Sequence, residues 1–124
     1  MFEISIKSNF CGAHSLTGYK GLCANLHGHN WEVEVFLRGA KLNHLGMLVD
    51  FKDVKKTLQA VLEKLDHQNL NTLPIFRKTN PTAENIAKFI FDELEPEFHS
   101  PNFRLNRVRI SETPGTAAYY GHKL

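Results

Sequence analysis

Residues 27–37, HGHNWEVEVFL, largely alternate polar and apolar side chains. A period of two residues is typical of a β-strand with one buried face, and Gly39 is expected to end this strand. His27 and His29 have the parity of the apolar set, so we expect both imidazoles to leave the buried face of the strand. That apolar set consists of Trp31, Val33, Val35 and Leu37.

Three other segments carry the signals of strands. The same period recurs in residues 2–10, while residues 105–112 and 116–122 flank a turn that contains Pro114 and Gly115. These three segments are therefore predicted to be strands.

Two further segments carry apolar side chains at spacings of three and four residues, which predicts amphipathic helices. The first begins at Asp50, whose charge favours the N-terminus of a helix, and ends near Asp66. The second follows Asn80-Pro81, begins at Thr82 as its cap, and is stopped by Pro96.

The predicted elements follow one another as strand, strand, helix, helix, strand, strand. No internal repeat, linker or low-complexity stretch interrupts the sequence, so we predict one domain over residues 1–124. The simplest packing for this order is an α+β fold, in which a four-stranded antiparallel sheet carries both helices on one face.

Composition excludes several functional classes. The chain has no apolar run long enough to span a bilayer, and its net charge of +2 comes from dispersed Lys and Arg residues, which does not favour nucleic acid as a partner. A small anionic substrate remains compatible with that charge. The N-terminus lacks the pattern of a secretion signal, so we expect a cytoplasmic protein. In that compartment Cys11 and Cys23 are expected to be reduced, which favours metal or catalytic roles over a disulfide.

His27 and His29 are spaced to hold one metal ion from the same face of a strand. His14 is the best candidate for a third ligand, because the first strand should pair with the second and bring its end beside His27. Three protein ligands leave the fourth position of zinc open, as in catalytic sites. Two alternatives stay open: a pair of hydrogen-bonded histidines without metal, and a closed structural site in which Cys23 is the fourth ligand.

Four other side chains are candidates for chemistry. A metal or an imidazole close to Cys23 would favour its thiolate, which is a base or a nucleophile. Asp66-His67 forms either an acid–base pair or a group that caps the end of a helix. Glu112 continues the apolar parity of its strand, so it needs a buried partner unless it pairs with a basic side chain or reaches water.

Six blocks of this sequence, taken in order, resemble the 6-pyruvoyltetrahydropterin synthase superfamily, and especially its bacterial 6-carboxytetrahydropterin branch. Together they cover nearly the whole domain. The spacing of four positions between Cys23 and His27 resembles the 6-carboxy branch, whereas Ser15 stands where the family often has arginine. The blocks are Gly12–His14, Cys23–His29, Gly46–Phe51, Leu65–Asn71, Asn80–Glu84 and Glu112–Thr113.

The resemblance implies the tunnelling fold and a homohexamer of two stacked trimers, with active sites between subunits. It also implies a role for each matched residue. Zn²⁺ would be held by His14, His27 and His29. Substrate would be bound by Glu112, which would anchor the amino-pyrimidinone edge of the pterin, and by Thr82. The implied general base is Cys23, and its acid–base partners are Asp66 and His67.

The implied reaction converts 7,8-dihydroneopterin triphosphate to 6-carboxy-5,6,7,8-tetrahydropterin, with release of acetaldehyde and triphosphate, on the route to queuosine. The nearest alternative is 6-pyruvoyltetrahydropterin synthase, which eliminates triphosphate and keeps the three-carbon side chain. A different class is a noncatalytic zinc-stabilised module that binds pterins. For the triphosphate, Lys20 is a candidate contact, although a solvated loop lysine is the favoured interpretation.

Overall fold

A five-stranded mixed sheet and two helices make up the molecule, in a computed structural model that describes residues 1–122. The α+β class predicted from the sequence is confirmed. In chain order the elements are β1 (Phe2–His14), β2 (His27–Gly39), α1 (Phe51–Leu62), β3 (Gln68–Asn69), α2 (Ala83–Leu94), β4 (Arg104–Ser111) and β5 (Ala118–Gly121).

The strand order in the sheet is β3-β1-β2-β4-β5, with β3 parallel to β1 and the other neighbours antiparallel. The predicted sheet of four antiparallel strands is therefore wrong in one respect, the additional strand β3. Two residues are too short to show any period in a sequence. This strand forms because the chain leaving α1 returns along β1, where the His67 N–H donates to the Cys11 carbonyl over 2.6 Å.

The pairing of β1 with β2 brings the predicted histidines together. Its register runs without a break from Phe2 opposite Gly39 to His14 opposite His27. Because β1 continues to His14 rather than ending near residue 10, the two histidine-bearing strand ends meet directly. Gly12 produces no bulge in this pairing, and the register shift of β2 faces β4 instead.

A single hydrophobic core lies between the sheet and both helices. The apolar parity predicted for β2 is confirmed, since its four apolar residues are fully buried. Asp50 accepts a hydrogen bond from the Lys52 N–H at the start of α1, and Thr82 accepts one from the Asn85 N–H at the start of α2. Such caps stabilise a helix by about 1 kcal/mol each.

Several predicted bounds differ from the observed ones. The helix α1 ends at Leu62 rather than near Asp66, because residues 63–67 turn back toward β1. The strand β5 begins at Ala118 rather than at residue 116 and ends at Gly121. Within residues 1–122, no helix has both the length and the apolar character needed to cross a membrane.

Candidate metal centre

Three imidazoles meet at the paired ends of β1 and β2. The register sets His14 opposite His27 and Gly12 opposite His29, so all three rings leave the same face. The ring centroids are 4.5 Å apart for His14 and His27, 4.7 Å for His27 and His29, and 5.5 Å for His14 and His29. We call His14, His27 and His29 the histidine cluster.

Backbone carbonyls orient two of these rings. The Nδ1 atom of His14 lies 2.7 Å from the Pro81 carbonyl oxygen, and Nδ1 of His27 lies 2.7 Å from that of Asn25. A carbonyl can only accept, so each Nδ1 is the donor, and a ring whose single proton is on Nδ1 presents the lone pair of Nε2. In this structure Nε2 of His14 also lies within hydrogen-bond distance of Oε1 of Glu112, at 3.0 Å. This arrangement of outer contacts is common for histidines that bind metals.

The indole of Trp31 supports the cluster from the core side. It is fully buried and lies edge-to-face with His14 and His29, at centroid distances of 4.9 and 5.5 Å. Its Nε1–H donates to the Gly12 carbonyl over 3.1 Å, so the ring is fixed to β1 as well as to β2. A rigid apolar support of this kind keeps the imidazoles in place and limits the access of water to them.

Glu112 extends the cluster from a third strand. It directly follows β4, and its Oε1 atom lies 2.6 Å from Nε2 of His29, 3.0 Å from Nε2 of His14 and 3.5 Å from Nε2 of His27. The carboxylate therefore lies on the side predicted by the alternation of β4. The sequence did not predict that its partners would be the three imidazoles.

The four side chains have the composition and the geometry of a metal site. One donor atom from each of His14, His27, His29 and Glu112 lies within 4.8 Å of the other three, so the group could hold a metal ion. Nε2 of His29 is buried, and the polar atom closest to it among the described contacts is Oε1 of Glu112, at 2.6 Å. A neutral ring nitrogen and a carboxylate oxygen at this distance need a proton or a cation between them.

The protonation state of His29 also suits a metal ligand. Burial lowers the pKa of His29 because it disfavours the charged imidazolium, and the neighbouring His27 and His14 lower it further. The Glu112 carboxylate acts in the opposite direction but does not overcome the burial. The ring is thus neutral at pH 7, as metal binding requires.

Asp66 and His67 lie at the outer side of β1, next to Cys11. The Cys11 N–H donates to Oδ1 of Asp66 over 2.9 Å, while the His67 backbone occupies the left-handed region with a φ of 57°. The side chain of His67 is 79% exposed, and its Nε2 lies 3.6 Å from Oδ2 of Asp66. Asp66 is therefore bound to a strand and does not cap α1.

A shallow depression of about 470 Å³ separates His67 from His29. Its floor is made by residues with little or no side chain, Gly12, Ala13 and Gly28. The depression is open to solvent.

Cys23 lies in a short turn between β1 and β2 and is partly exposed. Its carbonyl accepts a hydrogen bond from the Leu16 N–H over 2.9 Å. Both Cys11 and Cys23 are free thiols. Within residues 1–122, no hydrogen bond or ion pair joins Cys23 to Asp66 or His67, and the fourth donor gathered around the histidine cluster is Glu112.

A polar cavity of about 650 Å³ adjoins Glu112 on the open face of the sheet. Its volume falls within the range of small-molecule sites. Arg109 lies on its wall and donates to Glu32 over 2.8 Å. The cavity is lined by Lys7, Ser8, Asn9, Asn30, Glu32, Arg109, Ser111, Glu112, Thr113 and Pro114.

Comparison with known proteins gives a consistent result. Residues 3–123 match the family model described as 6-pyruvoyl tetrahydropterin synthase. The chain is 32% identical to the 6-carboxy-5,6,7,8-tetrahydropterin synthase of Haemophilus influenzae, over 97% of this chain and 99% of that protein. It is 37% identical to the 6-pyruvoyl tetrahydrobiopterin synthase of Dictyostelium discoideum, over 81% and 73%. The structure of 6-pyruvoyl tetrahydropterin synthase from Caenorhabditis elegans superposes with a TM-score of 0.87 at 31% identity, covering 98% of this chain and 96% of that one.

Proposed function

Because this chain belongs to the 6-pyruvoyl tetrahydropterin synthase family, we propose that it is a zinc-dependent lyase acting on 7,8-dihydroneopterin triphosphate. The products are 6-carboxy-5,6,7,8-tetrahydropterin, acetaldehyde and triphosphate, with consumption of one water molecule. The observation that carries this proposal is the gathering of the histidine cluster and Glu112, whose donor atoms all lie within 4.8 Å of one another.

Zinc is the proposed metal because three neutral imidazoles with one further position are the donors of many catalytic zinc sites. A zinc ion bound by His14, His27 and His29 would supply Lewis acidity toward the oxygen atoms of the pterin side chain. Because Nδ1 of His14 and Nδ1 of His27 face the carbonyls of Pro81 and Asn25, both rings would bind that ion through Nε2.

Cys23 is the proposed general base, which removes a proton from a carbon of the substrate side chain. Its partial exposure leaves the thiol accessible to a ligand. Asp66 and His67 are the proposed acid–base partners, which exchange protons with the substrate and the solvent. Nε2 of His67 lies 3.6 Å from Oδ2 of Asp66, so the carboxylate could orient the imidazole for proton exchange.

Glu112 and Thr82 are the proposed pterin contacts. A carboxylate can accept two parallel N–H bonds from an amino-pyrimidinone ring, which selects for pterins. The side chain of Glu112 is 29% exposed and Glu112 lines the polar cavity, so a ligand can reach it. The competing role for Glu112 is that of a fourth metal ligand, which would close the site and make it structural.

We further propose that the active enzyme is a homohexamer of two stacked trimers. The support for this proposal is the separation of the chemical groups, since Cys23 and the Asp66–His67 pair do not contact each other within residues 1–122. His67 is 79% exposed, as expected for a side chain that acts in the site of a neighbouring subunit.

The 6-carboxy product is preferred over the 6-pyruvoyl product because the interval of four positions between Cys23 and His27 resembles that of the 6-carboxy branch. The second candidate is 6-pyruvoyltetrahydropterin synthase activity, which is favoured by the similarity to the D. discoideum and C. elegans proteins of that name. Both candidates use the same metal and the same substrate.

The deciding experiment is to incubate the purified, zinc-loaded protein with 7,8-dihydroneopterin triphosphate and to identify the products by mass spectrometry. We expect acetaldehyde and carboxytetrahydropterin in equal amounts, and neither with the Cys23→Ala variant. A pyruvoyl product would support the second candidate. Unchanged substrate would contradict both enzymatic functions and leave the pterin-binding module.

A further inference from the structure

Two asparagines outside the metal centre hold the chain that leads from His14 toward Cys23. The Ser15 N–H donates to Oδ1 of Asn71 over 2.8 Å, and Nδ2 of Asn71 donates to the Ser15 carbonyl over 3.0 Å. Asn80 binds Thr17 in the same manner, accepting over 2.9 Å and donating over 3.0 Å. We call Asn71 and Asn80 the asparagine pair.

Each of these amides imitates a neighbouring strand. A side chain that accepts from the N–H and donates to the C=O of one residue reproduces the paired bonds of an antiparallel ladder. Residues 15 and 17 are two apart, so their polar groups lie on the same edge of an extended segment. On the opposite edge the Leu16 N–H donates to the Cys23 carbonyl over 2.9 Å, so the segment is bound from both sides.

The same contacts reach the histidine cluster. The residue after Asn80 is Pro81, whose carbonyl orients the ring of His14. The backbone of Asn80 is itself held, since its carbonyl accepts from Nδ2 of Asn85 and from the Thr82 N–H, each over 2.9 Å. A displacement of Asn80 would therefore be transmitted to His14 on one side and to Thr17 on the other.

We propose that Asn71 and Asn80 are positioning residues, which set the placement of Cys23 and of His14 without touching substrate or metal. The inference rests on the proposed function, because the placement of Cys23 and His14 affects catalysis only if Cys23 is the general base and His14 is a zinc ligand. Loops have many conformations, and a general base must lie within hydrogen-bond reach of the proton that it removes. The asparagine pair holds residues 15 and 17 at the start of the loop between β1 and β2, and Leu16 between them is bonded to Cys23.

The test uses Asn71→Asp and Asn80→Asp. Each substitution keeps the oxygen that accepts from the loop N–H and replaces the donating amide with an oxygen that repels the loop carbonyl. Asn43→Asp is the matched control, because Asn43 is used as an acceptor from the N–H groups of Leu45 and Met47, and its side-chain N–H groups have no acceptor among the described residues.

Three measurements are made on each protein. At saturating zinc we expect kcat to fall about tenfold while KM changes by less than about twofold. The zinc affinity of Asn80→Asp, measured by competition with a chromophoric chelator, is expected to fall about tenfold. The iodoacetamide alkylation rate of Cys23, relative to that of exposed Cys11 in the same protein, is expected to rise about threefold as the loop loosens. Asn43→Asp should match the unmodified protein in all three.

Unchanged kcat and an unchanged ratio of alkylation rates in both Asp variants would overturn the inference. A loss of kcat without any change in the alkylation ratio or in zinc affinity would also overturn it, because the asparagines would then act elsewhere. If the Asp variants do not fold, Asn71→Ala and Asn80→Ala carry the same expectations, since they remove the bonds without adding charge. The alkylation ratio and the zinc affinity need no substrate, so they test the pair even if the proposed reaction fails.

Discussion

The histidine cluster and the Asp66–His67 pair both lie against β1, but they differ in how many of their side chains are fixed by contacts within one chain. Together with Glu112, the cluster gathers four donor atoms within 4.8 Å of one another inside a single chain, and carbonyls and Trp31 hold its rings. The Asp66–His67 pair is fixed only at its backbone and at the carboxylate of Asp66, while the imidazole of His67 is 79% exposed.

This difference separates metal binding from proton transfer. The pairing of β1, β2 and β4 brings together four side chains that could hold a metal ion, so the candidate ligands all lie in one folded chain. Within residues 1–122, no hydrogen bond or ion pair joins Cys23 to the Asp66–His67 pair, so the proposed assembly of these groups would depend on a second subunit. We therefore expect some substitutions to remove the metal and others to leave it in place while removing the activity.

The largest effect is expected for His27→Ala. Removing a zinc ligand should weaken zinc binding by more than the about 10–100-fold typical of changes to outer contacts. The zinc content of the dialysed protein, measured by mass spectrometry of the metal, should fall together with the activity. His44→Ala is the matched control, because His44 is an exposed histidine outside the cluster. Full zinc content in His27→Ala would refute the metal site.

Substitution of Cys23 by Ser tests whether activity can be lost while the metal stays bound. A hydroxyl is a much weaker base than a thiolate, so kcat should fall by about 10²- to 10⁴-fold, the usual contribution of a general base. Zinc content should stay unchanged, as measured in the same dialysis experiment. Loss of both zinc and folding would instead identify Cys23 as the fourth ligand of a structural site.

Mixed oligomers test whether the two groups act across subunits. Cys23→Ala and His67→Ala are each expected to be inactive. If Cys23 of one subunit works with His67 of another, a one-to-one mixture that is unfolded and refolded together should regain activity in about one quarter of its sites, because each site draws one group from each of two randomly chosen subunits. No recovery above the separately refolded variants would show that both groups act within one chain.

Glu112→Gln distinguishes the two roles considered for this carboxylate. The variant keeps the shape of the side chain but can no longer accept two N–H bonds as an anion. If Glu112 anchors the pterin, the substitution should raise KM by about tenfold to a hundredfold, which corresponds to the free energy of a hydrogen bond to a charged group. The zinc content should then be unchanged. Steady-state kinetics and metal analysis check both quantities. A fall in zinc affinity at unchanged KM would make Glu112 a metal ligand.

The sequence predicted the parts of this molecule that follow a regular period. The alternation in β2 placed Trp31, His27 and His29 on one face, and the expected pairing with β1 brought His14 beside them. Glu112 was placed on the correct side of β4 for the same reason. Period, pairing and parity are properties of neighbouring residues, so they can be recognised without coordinates.

The remaining features depend on contacts between distant segments, which no local pattern specifies. The strand β3 forms because the backbone of His67 is hydrogen-bonded to the carbonyl of Cys11, which is 56 positions away in the sequence. Two other contacts also join segments that are distant in the sequence. They are the contact between Pro81 and His14 and the contacts of Glu112 with the three imidazoles. The asparagine pair lies in two of the family-like blocks, Leu65–Asn71 and Asn80–Glu84, but nothing in those blocks indicates which loop the amides bind.

The smallest expected effect concerns the metal-free protein, in which His29 is expected to titrate below its ordinary pKa of 6.5. Burial is the main cause, and Glu112 opposes it, so Glu112→Gln should lower the pKa of His29 further. Because the unfolded chain then binds the proton more readily than the folded one, the free energy of unfolding should decrease as the pH falls through this range. Titration of the ring nitrogens by NMR after chelation checks the shift. A pKa of His29 at or above 6.5, or one that rises in Glu112→Gln, would mean that the ring is not the buried, neutral donor on which the metal centre depends.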